Sequence, residues 1–329
     1  MSADDLRNDA AGPDARGAWS DYWREGDTEH ALPDDNPGTR ALAEVWRGYA
    51  AELASRAGRA RIVDLACGGG FALRHLEAAS QAPSLEWELF GLDIAAPALE
   101  QLRKGAATPS QLVVGDAARP PFADGSMNVV LSQFGLEYAG QEALSGAARL
   151  LAPAGELLLL VHHADGPVAA SCSANRDIVE AVLACGALEA MRHWFEQRAS
   201  GRQRPLARSQ AAEKLREPIS AMESLLQQSP QCPARQLAGR MHADLARLYT
   251  RAGAYATADV MPWLDGMHAE LVSYRQRMQG MLQAARDAAD TEQLLSDWTS
   301  QGLQHCDAGV IEVEGQPLAW KLTATRPAA

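Results

Sequence analysis

Short apolar runs alternate with helical patterns over residues 60–163. The runs end at glycine, aspartate or proline, as buried strands of about four to eight residues do. We predict five strands, the first starting at residue 61 and the others at 85–92, 111–115, 127–132 and 156–161. Between them, residues 71–79 and 94–103 have helical spacing, and a further helix is predicted to end in a turn at Pro153 and Gly155. This alternation predicts an α/β domain.

After the fifth strand the pattern becomes helical and stays so to residue 290. Four helices are predicted there: 176–198, 209–228 with a candidate bend at Pro218, one from Pro233 and one from Pro262. The last predicted elements are a helix at 291–298 and two strands with alternating apolar and polar residues, at 309–314 and 318–325. We predict a doubly wound, mostly parallel seven-stranded sheet with an all-α cap inserted between the fifth strand and the last helix. The predicted parts are an N-terminal segment 1–59, a core of 60–164 with 291–329, and the insertion 165–290.

The first strand ends in a glycine turn that follows an acidic residue. Asp64 interrupts the apolar run, and the turn reads Asp64-x-x-x-Gly68-x-Gly70 before the next helix. Bare backbone and a helix N-terminus can approach a ligand closely at such a turn. A P-loop requires Gly-Lys-Ser/Thr, but Phe71 and Ala72 follow the glycines. A dinucleotide fingerprint requires a third glycine where Leu73 stands.

Carboxylates also close the next two strands. Asp93 ends the second strand, Asp116-Ala117 follows the third, and a Pro-Phe-Ala-Asp-Gly-Ser turn at 121–126 precedes the fourth. In this order and spacing, residues 60–163 resemble the core of class I S-adenosylmethionine-dependent methyltransferases. The one departure is Asn128, where that family usually has aspartate.

The resemblance implies a role for each matching residue. Asp64, Ala66, Gly68 and Gly70 would border the methionine part of the cofactor S-adenosylmethionine. Asp93, with Ile94 beside it, would bind the ribose, and Asp116 with the Ala117 N–H would bind the adenine. Gln133, at the end of the fourth strand, would lie beside the reactive methyl group. Each aspartate alone also fits a turn or helix cap, since aspartate is common there.

The N-terminal segment offers two further cofactor contacts. Its aromatic cluster contains Tyr22 between Trp19 and Trp23, and in related enzymes such aromatics close over the cofactor. Arg40 is a candidate partner of the cofactor carboxylate. Aromatic residues near a terminus also serve simply to anchor it, so both readings stay open.

A general base is required only when the methyl acceptor must lose a proton. His162 and His163 after the fifth strand and Glu137 after the fourth are the candidates. Strand alternation predicts that one histidine faces the cleft and the other faces away. A histidine that is merely a satisfied structural group is the alternative for either.

Composition and net charge bear on the substrate class, on disulfide and metal sites, and on the cell compartment. The net charge is -12, with 42 acidic against 30 basic side chains, which disfavours a nucleic-acid substrate. Five cysteines without a Cys-x-x-Cys pair predict neither a disulfide framework nor a zinc site, and no metal is expected. No signal sequence or membrane span is apparent, so a cytoplasmic protein is expected.

The sequence thus predicts a methyltransferase for a small or medium organic acceptor, with O-, N- or C-methylation left open. The insertion would cover the acceptor, or instead form a homodimer. A macromolecular methyltransferase acting on protein or tRNA through a docking insertion is one alternative. A non-catalytic cofactor-binding module is the other.

Overall fold

The computed structural model describes residues 15–25, 36–56, 58–105, 111–199 and 205–329, and every structural statement below concerns these residues. They divide into two compact units. The sheet unit lies within 1–169 and 283–329, and the helical unit within 170–282. Residues 26–30 of the aromatic N-terminal segment and 200–204 lie outside the described part of the chain.

The sheet unit has seven described strands. They are β1 (Arg59–Leu65), β2 (Glu86–Asp93), β3 (Gln111–Val114), β4 (Met127–Gln133), β5 (Leu151–His162), β6 (Gln304–Val313) and β7 (Gln316–Thr325). Their order is β3-β2-β1-β4-β5-β7-β6. The first five are parallel, while β7 runs antiparallel to both β5 and β6. The predicted α/β class and mostly parallel seven-stranded sheet are confirmed.

Helices pack on both faces of this sheet. In the sheet unit they are α1 (Ala15–Glu25), α2 (Pro37–Arg56), α3 (Phe71–Ser80), α4 (Ala96–Gly105), α5 (Gln141–Gly146) and α11 (Ala288–Ser300). Val63 and Leu65 of β1 pack with Trp298 of α11, whereas Ile62 packs with Trp46 of α2 on the other face. Because neighbouring β1 residues alternate between two apolar layers, the strand is buried on both sides, as a parallel strand must be.

The helical unit is formed by the helices between β5 and α11. They are α6 (Pro167–Ala184), α7 (Ala187–Ala199), α8 (Pro205–Gln228), α9 (Pro233–Thr250) and α10 (Thr257–Ala284), the first and last of which cross the unit boundaries. Its core contains Phe195 with the fully buried Met191, Met222 and Met241. These three methionines therefore pack helix against helix, as apolar residues at helical spacing usually do.

Two helix boundaries in this region were predicted wrongly. The single helix predicted for 176–198 is two helices, because the chain turns at Gly186 with φ of 71°. The helix predicted from Pro262 begins at Thr257 instead, with Pro262 inside it. Val260 on that earlier turn is buried in the same core as Leu264, and this burial offsets the backbone hydrogen bond that Pro262 cannot make.

Strand β5 is longer than predicted. The helical turn before β5 ends at Leu150. Pro153 and Gly155, which were predicted to form a turn, therefore lie within the strand. Ala154 has φ of 59°, and the pairing with β4 shifts register between Met127 and Val129. Such an irregularity at a strand end hides the alternation on which the sequence prediction depended. No helix in the described ranges is both long and apolar enough to cross a bilayer.

Candidate cofactor and catalytic site

The glycine turn joins β1 to α3 at the carboxyl edge of the sheet. Asp64 is the penultimate residue of β1, and Ala66, Gly68 and Gly70 have φ of 57°, 51° and 79°. A Cβ on Gly70 would lie 2.4 Å from the Leu102 side chain of α4. Both its left-handed backbone and its packing therefore require glycine at this position.

Asp93, the last residue of β2, holds this turn in place. Its Oδ2 accepts the Gly68 N–H at 2.8 Å, and its Oδ1 accepts the Ala95 N–H at 2.8 Å. Burial raises the pKa of Asp93, and hydrogen bonds from Ala95, Gly68 and half-buried Ile94 oppose that rise. Since each carboxylate oxygen can accept a second hydrogen bond, Asp93 can organise the turn and still meet a ligand.

Asp64 is the less satisfied of the two carboxylates. It is 2% exposed, and its Oδ1 has no hydrogen-bond partner among the described residues. Burial, followed by the charge of Asp93, raises the pKa of Asp64 to about 8. Burial raises the pKa of the Cys67 thiol, and the nearby charges of Asp64 and Asp93 raise it further. A site built this way favours a proton or a bound cation beside Asp64.

Asp116 follows β3 and lies half-buried at the neighbouring strand end. Its Oδ1 accepts the Ala118 N–H at 2.9 Å, and its backbone carbonyl accepts the Arg119 N–H at 3.0 Å. The Gly115 N–H donates to the Asp93 carbonyl at 2.9 Å, which joins the two strand ends. Asp116 therefore makes the hydrogen bonds of a turn aspartate. The next residue, Ala117, is buried.

The end of β4 packs closely against the end of β1. The Ser132 hydroxyl donates to the Leu65 carbonyl at 2.7 Å, and a Cβ on Gly135 would lie 2.6 Å from the Ala66 carbonyl oxygen. The Gln133 side-chain oxygen accepts a hydrogen bond from the Trp46 indole of α2. This hydrogen bond from α2 holds the side chain of Gln133, the last residue of β4. The contact was not predicted from the sequence.

Glu137 and His162 form a buried pair just beyond this junction. Glu137 Oε1 lies 2.9 Å from His162 Nδ1 and accepts the His162 backbone N–H at 3.2 Å. The Phe134 ring stacks on the imidazole at a centroid distance of 4.0 Å. Tyr138 Oη lies 3.2 Å from the same Nδ1. His162 Nε2 and Glu137 Oε2 are both buried without a hydrogen-bond partner in the described structure.

His163 lies apart from this pair. Its ring stacks on Trp320 of β7 at 4.9 Å, and its Nδ1 accepts the Asp165 N–H at 3.0 Å. The structure therefore brings His162, and not His163, together with Glu137. Both contacts of His163 fit the structural alternative weighed for it.

Helix α1 connects the glycine turn with the residues around His162. A Cβ on Gly68 would lie 2.7 Å from Cζ2 of Trp23, whose carbonyl accepts a hydrogen bond from Gln101 at 2.8 Å. The Trp19 ring of the same helix lies 5.1 Å from the ring of Tyr138, which in turn lies beside His162. Tyr22 makes edge contacts with Trp19 and Trp23.

Arg40 is exposed in the first turns of α2. Its pairing with the cofactor carboxylate stays a prediction. Trp23 belonged to the predicted aromatic cluster, but its packing on Gly68 was not predicted, and neither was the stacking of Phe134 on His162. Their only sequence signals were the position of Phe134 after a strand and the general aromatic content around Trp23. Among the described residues, no group of three or more histidine, cysteine or acidic side chains is placed to hold a metal ion.

Comparison with known proteins finds similarity to methyltransferases over part of the sheet unit. Residues 63–159 match the model of a methyltransferase domain. The chain is similar to the ubiquinone/menaquinone biosynthesis C-methyltransferase UbiE of Ruegeria sp., with 34% identity over 128 residues, covering 36% of this chain and 49% of the relative. It is also similar to the demethylmenaquinone methyltransferase of Thermus thermophilus, with 37% identity over 121 residues, covering 35% and 53%.

The chain therefore spans about half the length of the curated relatives it matches. Among solved structures, it resembles an S-adenosylmethionine-dependent methyltransferase from Mesorhizobium loti. That likeness has 22% identity and a TM-score of 0.31, and covers 37% of this chain and 56% of the other.

Proposed function

The chain carries a domain of the class I S-adenosylmethionine-dependent methyltransferase family, and from this premise we propose that it methylates a small or medium organic acceptor. The observation that supports this most is the meeting of two buried carboxylates, Asp64 and Asp93, with the glycine turn at one sheet edge. Ligands of open α/β sheets bind at this edge.

The residues present suit S-adenosylmethionine. The unpartnered Asp64 Oδ1 lies where a cationic group would relieve its burial, and the glycine turn offers backbone without side chains. We propose that Asp64, Ala66, Gly68 and Gly70 border the methionine part. Asp93 with Ile94 would bind the ribose, and Asp116 with Ala117 the adenine. When bound, the cofactor supplies an electrophilic methyl group.

The chain's own contribution to chemistry would then be alignment and, for a weakly acidic acceptor, removal of a proton. We propose His162 as that base, with Glu137 holding the ring through the 2.9 Å contact to Nδ1. His163 is the weaker candidate, because its ring and its Nδ1 are already occupied by Trp320 and Asp165.

Two observations favour a small-molecule acceptor. One relative is named a ubiquinone/menaquinone biosynthesis C-methyltransferase and the other a demethylmenaquinone methyltransferase. The net charge of -12 also disfavours a polyanionic substrate such as tRNA. A carbon acceptor is thus the finer form of this proposal, with oxygen and nitrogen as the other possibilities.

We propose that the insertion 165–290 contributes to binding the acceptor. Both of its connections reach the sheet unit beside His162, since the Arg286 N–H donates to the His162 carbonyl and the Ala164 N–H to the Arg286 carbonyl, each at 2.8 Å. A homodimer through these helices is the competing role for the insertion.

Two measurements test the proposal. Calorimetry should detect binding of S-adenosylhomocysteine to the full chain, and absence of binding would reject the methyltransferase assignment. Methyl-labelled S-adenosylmethionine should then be incubated with the protein and a cell extract. Label in the low-mass fraction supports a small acceptor, whereas label precipitating with protein or RNA supports the macromolecular alternative. Binding without any transfer would favour a non-catalytic module.

A further inference from the structure

The hydrogen-bond geometry around His162 constrains where its ring proton lies. An imidazole nitrogen has a single in-plane position, which holds either a hydrogen or a lone pair. Two oxygens face the Nδ1 position, Glu137 Oε1 at 2.9 Å and Tyr138 Oη at 3.2 Å. An ionised carboxylate can only accept, while a tyrosine hydroxyl can donate or accept.

One arrangement leaves none of the hydrogens of this pair buried without an acceptor. If Nδ1 carries the hydrogen, it donates to Glu137 Oε1, which also accepts the His162 backbone N–H, and Tyr138 Oη is a second acceptor at longer range. The lone pair is then on Nε2. The buried atoms without partners are in this case both acceptors, Nε2 and Glu137 Oε2.

The other arrangements bury an unsatisfied donor. Among the described residues a hydrogen on Nε2 would have no acceptor, and it would leave the Nδ1 lone pair facing the Glu137 carboxylate. A neutral Glu137 with its hydrogen on Oε2 would likewise bury a donor without an acceptor. An unmade hydrogen bond on a buried donor is costly, so both arrangements are disfavoured.

We propose that Glu137 and Tyr138 together fix His162 as the Nδ1–H tautomer, with Nε2 as the atom that takes the acceptor's proton. This rests on the proposed function of His162 as the base. The proton would pass from an O–H or C–H acid to Nε2. The freed electron pair would form the bond to the methyl carbon while the bond from that carbon to the cofactor sulfur breaks, so that S-adenosylhomocysteine leaves. The resulting imidazolium is balanced by the Glu137 carboxylate. Tyr138 is a positioning residue, because its oxygen acts on the ring and not on the substrate.

Among the described residues, Glu137 and Tyr138 are the titratable groups in hydrogen-bonding contact with the His162 ring. Phe134 stacks on one side, and the strand partner of His162 in β7 is Ala319. Arg286 reaches His162 through its backbone N–H. His163, the next residue in sequence, has its own ring against Trp320. The charge of the ring therefore depends first on Glu137 and next on Tyr138.

Nuclear magnetic resonance of the histidine rings tests this without a known substrate. The full chain would be labelled with ¹⁵N in its histidines, and His162→Gln would identify the His162 signals among the eight histidines. In the neutral ring we expect a protonated Nδ1 and a bare Nε2. Tyr138→Phe removes one of the two acceptors at Nδ1, so the ratio of the Nδ1–H to the Nε2–H tautomer should fall about three- to ten-fold, the effect of one lost hydrogen bond.

Tyr249→Phe is the matched control, since Tyr249 is 43% exposed in the helical unit. It should leave the His162 signals unchanged. Glu137→Gln should lower this tautomer ratio further than Tyr138→Phe, because a neutral amide is a weaker acceptor than a carboxylate. If that variant fails to fold, Tyr138→Phe alone decides.

A neutral ring protonated on Nε2, or an unchanged tautomer ratio in Tyr138→Phe, would overturn the inference. Binding of S-adenosylhomocysteine to the same wild-type sample keeps the two claims apart. Loss of binding contradicts the proposed function, while binding with the wrong tautomer contradicts only the role of Glu137 and Tyr138.

Discussion

Asp64 shows, at the scale of one residue, that a side chain suited to binding a ligand can lower the stability of the ligand-free protein. Its carboxyl group is buried, lacks a partner for Oδ1 and has a pKa of about 8 against an ordinary value of 3.8. The folded ligand-free protein therefore holds a proton that the unfolded chain has already released at neutral pH. The stability from this group is fully present below about pH 4 and is lost as the pH rises towards 8.

Asp64→Asn should accordingly stabilise the ligand-free protein at pH 8 by about 1–3 kcal/mol, while changing its stability little near pH 4. The amide keeps the shape of the carboxyl group but cannot ionise. Chemical denaturation of both proteins at the two pH values measures this. Equal stability differences at pH 4 and pH 8 would show that Asp64 is ionised without cost in the native state.

Asp93 combines a predicted ligand role with a structural one. We expect Asp93→Ala to weaken binding of S-adenosylhomocysteine about ten- to a hundred-fold, as loss of a charge-assisted hydrogen bond does. Because Asp93 also accepts the Gly68 and Ala95 N–H groups, part of this loss would come from the turn itself.

Asp93→Asn separates the two contributions. Its remaining carbonyl oxygen can still accept one backbone N–H, so the turn should be better preserved than with alanine. Calorimetry on both variants, with thermal unfolding as the folding control, checks this. Wild-type affinity in a folded Asp93→Ala protein would exclude the ribose assignment.

At the scale of elements, the turn after β1 and helix α1 constrain each other. Gly68 has φ of 51°, and the Trp23 ring occupies the space that a Cβ would take. Gly68→Ala should therefore destabilise the protein by about 1–3 kcal/mol through backbone strain and overpacking.

A double-mutant cycle separates these two causes. Gly68→Ala combined with Trp23→Ala should recover the overpacking part and retain the strain. Their coupling energy should therefore be about 0.5 kcal/mol or more in denaturation experiments. Strict additivity would mean that Trp23 does not rest on Gly68 in solution.

Elements whose apolar residues recur with a clear period were predicted better than elements whose bounds depend on tertiary contacts. Strands β1 and β4 and helix α3 were located within about two residues, because buried apolar runs and a glycine turn mark them directly. The start of β5 was missed, since Ala154 and the shifted register near Met127 have no periodic signal. The Glu137–His162 pair joins residues 25 apart, so the sequence nominated both side chains without showing that they meet.

At the scale of the whole molecule, the main prediction concerns the insertion. If residues 165–290 contribute to acceptor binding, S-adenosylhomocysteine should slow amide hydrogen exchange within them as well as around the glycine turn. Exchange measured with and without this ligand tests the idea, with β6 at the far edge of the sheet as an internal control. Equal exchange throughout the insertion, with protection only at the turn, would favour an oligomerisation or docking role.

The paired backbone contacts at Arg286 have a consequence for how this protein could have arisen. The Arg286 N–H and carbonyl meet His162 and Ala164, so the chain leaves the sheet unit and returns to it at nearly the same place. Because the residues at the two ends of the inserted segment are hydrogen-bonded to each other, the segment can change without altering the strand order of the sheet. The helical unit could thus be lengthened, exchanged or lost during evolution without redesign of the sheet. Selection could then change the choice of acceptor in one part of the gene while the residues that hold the methyl donor stayed the same.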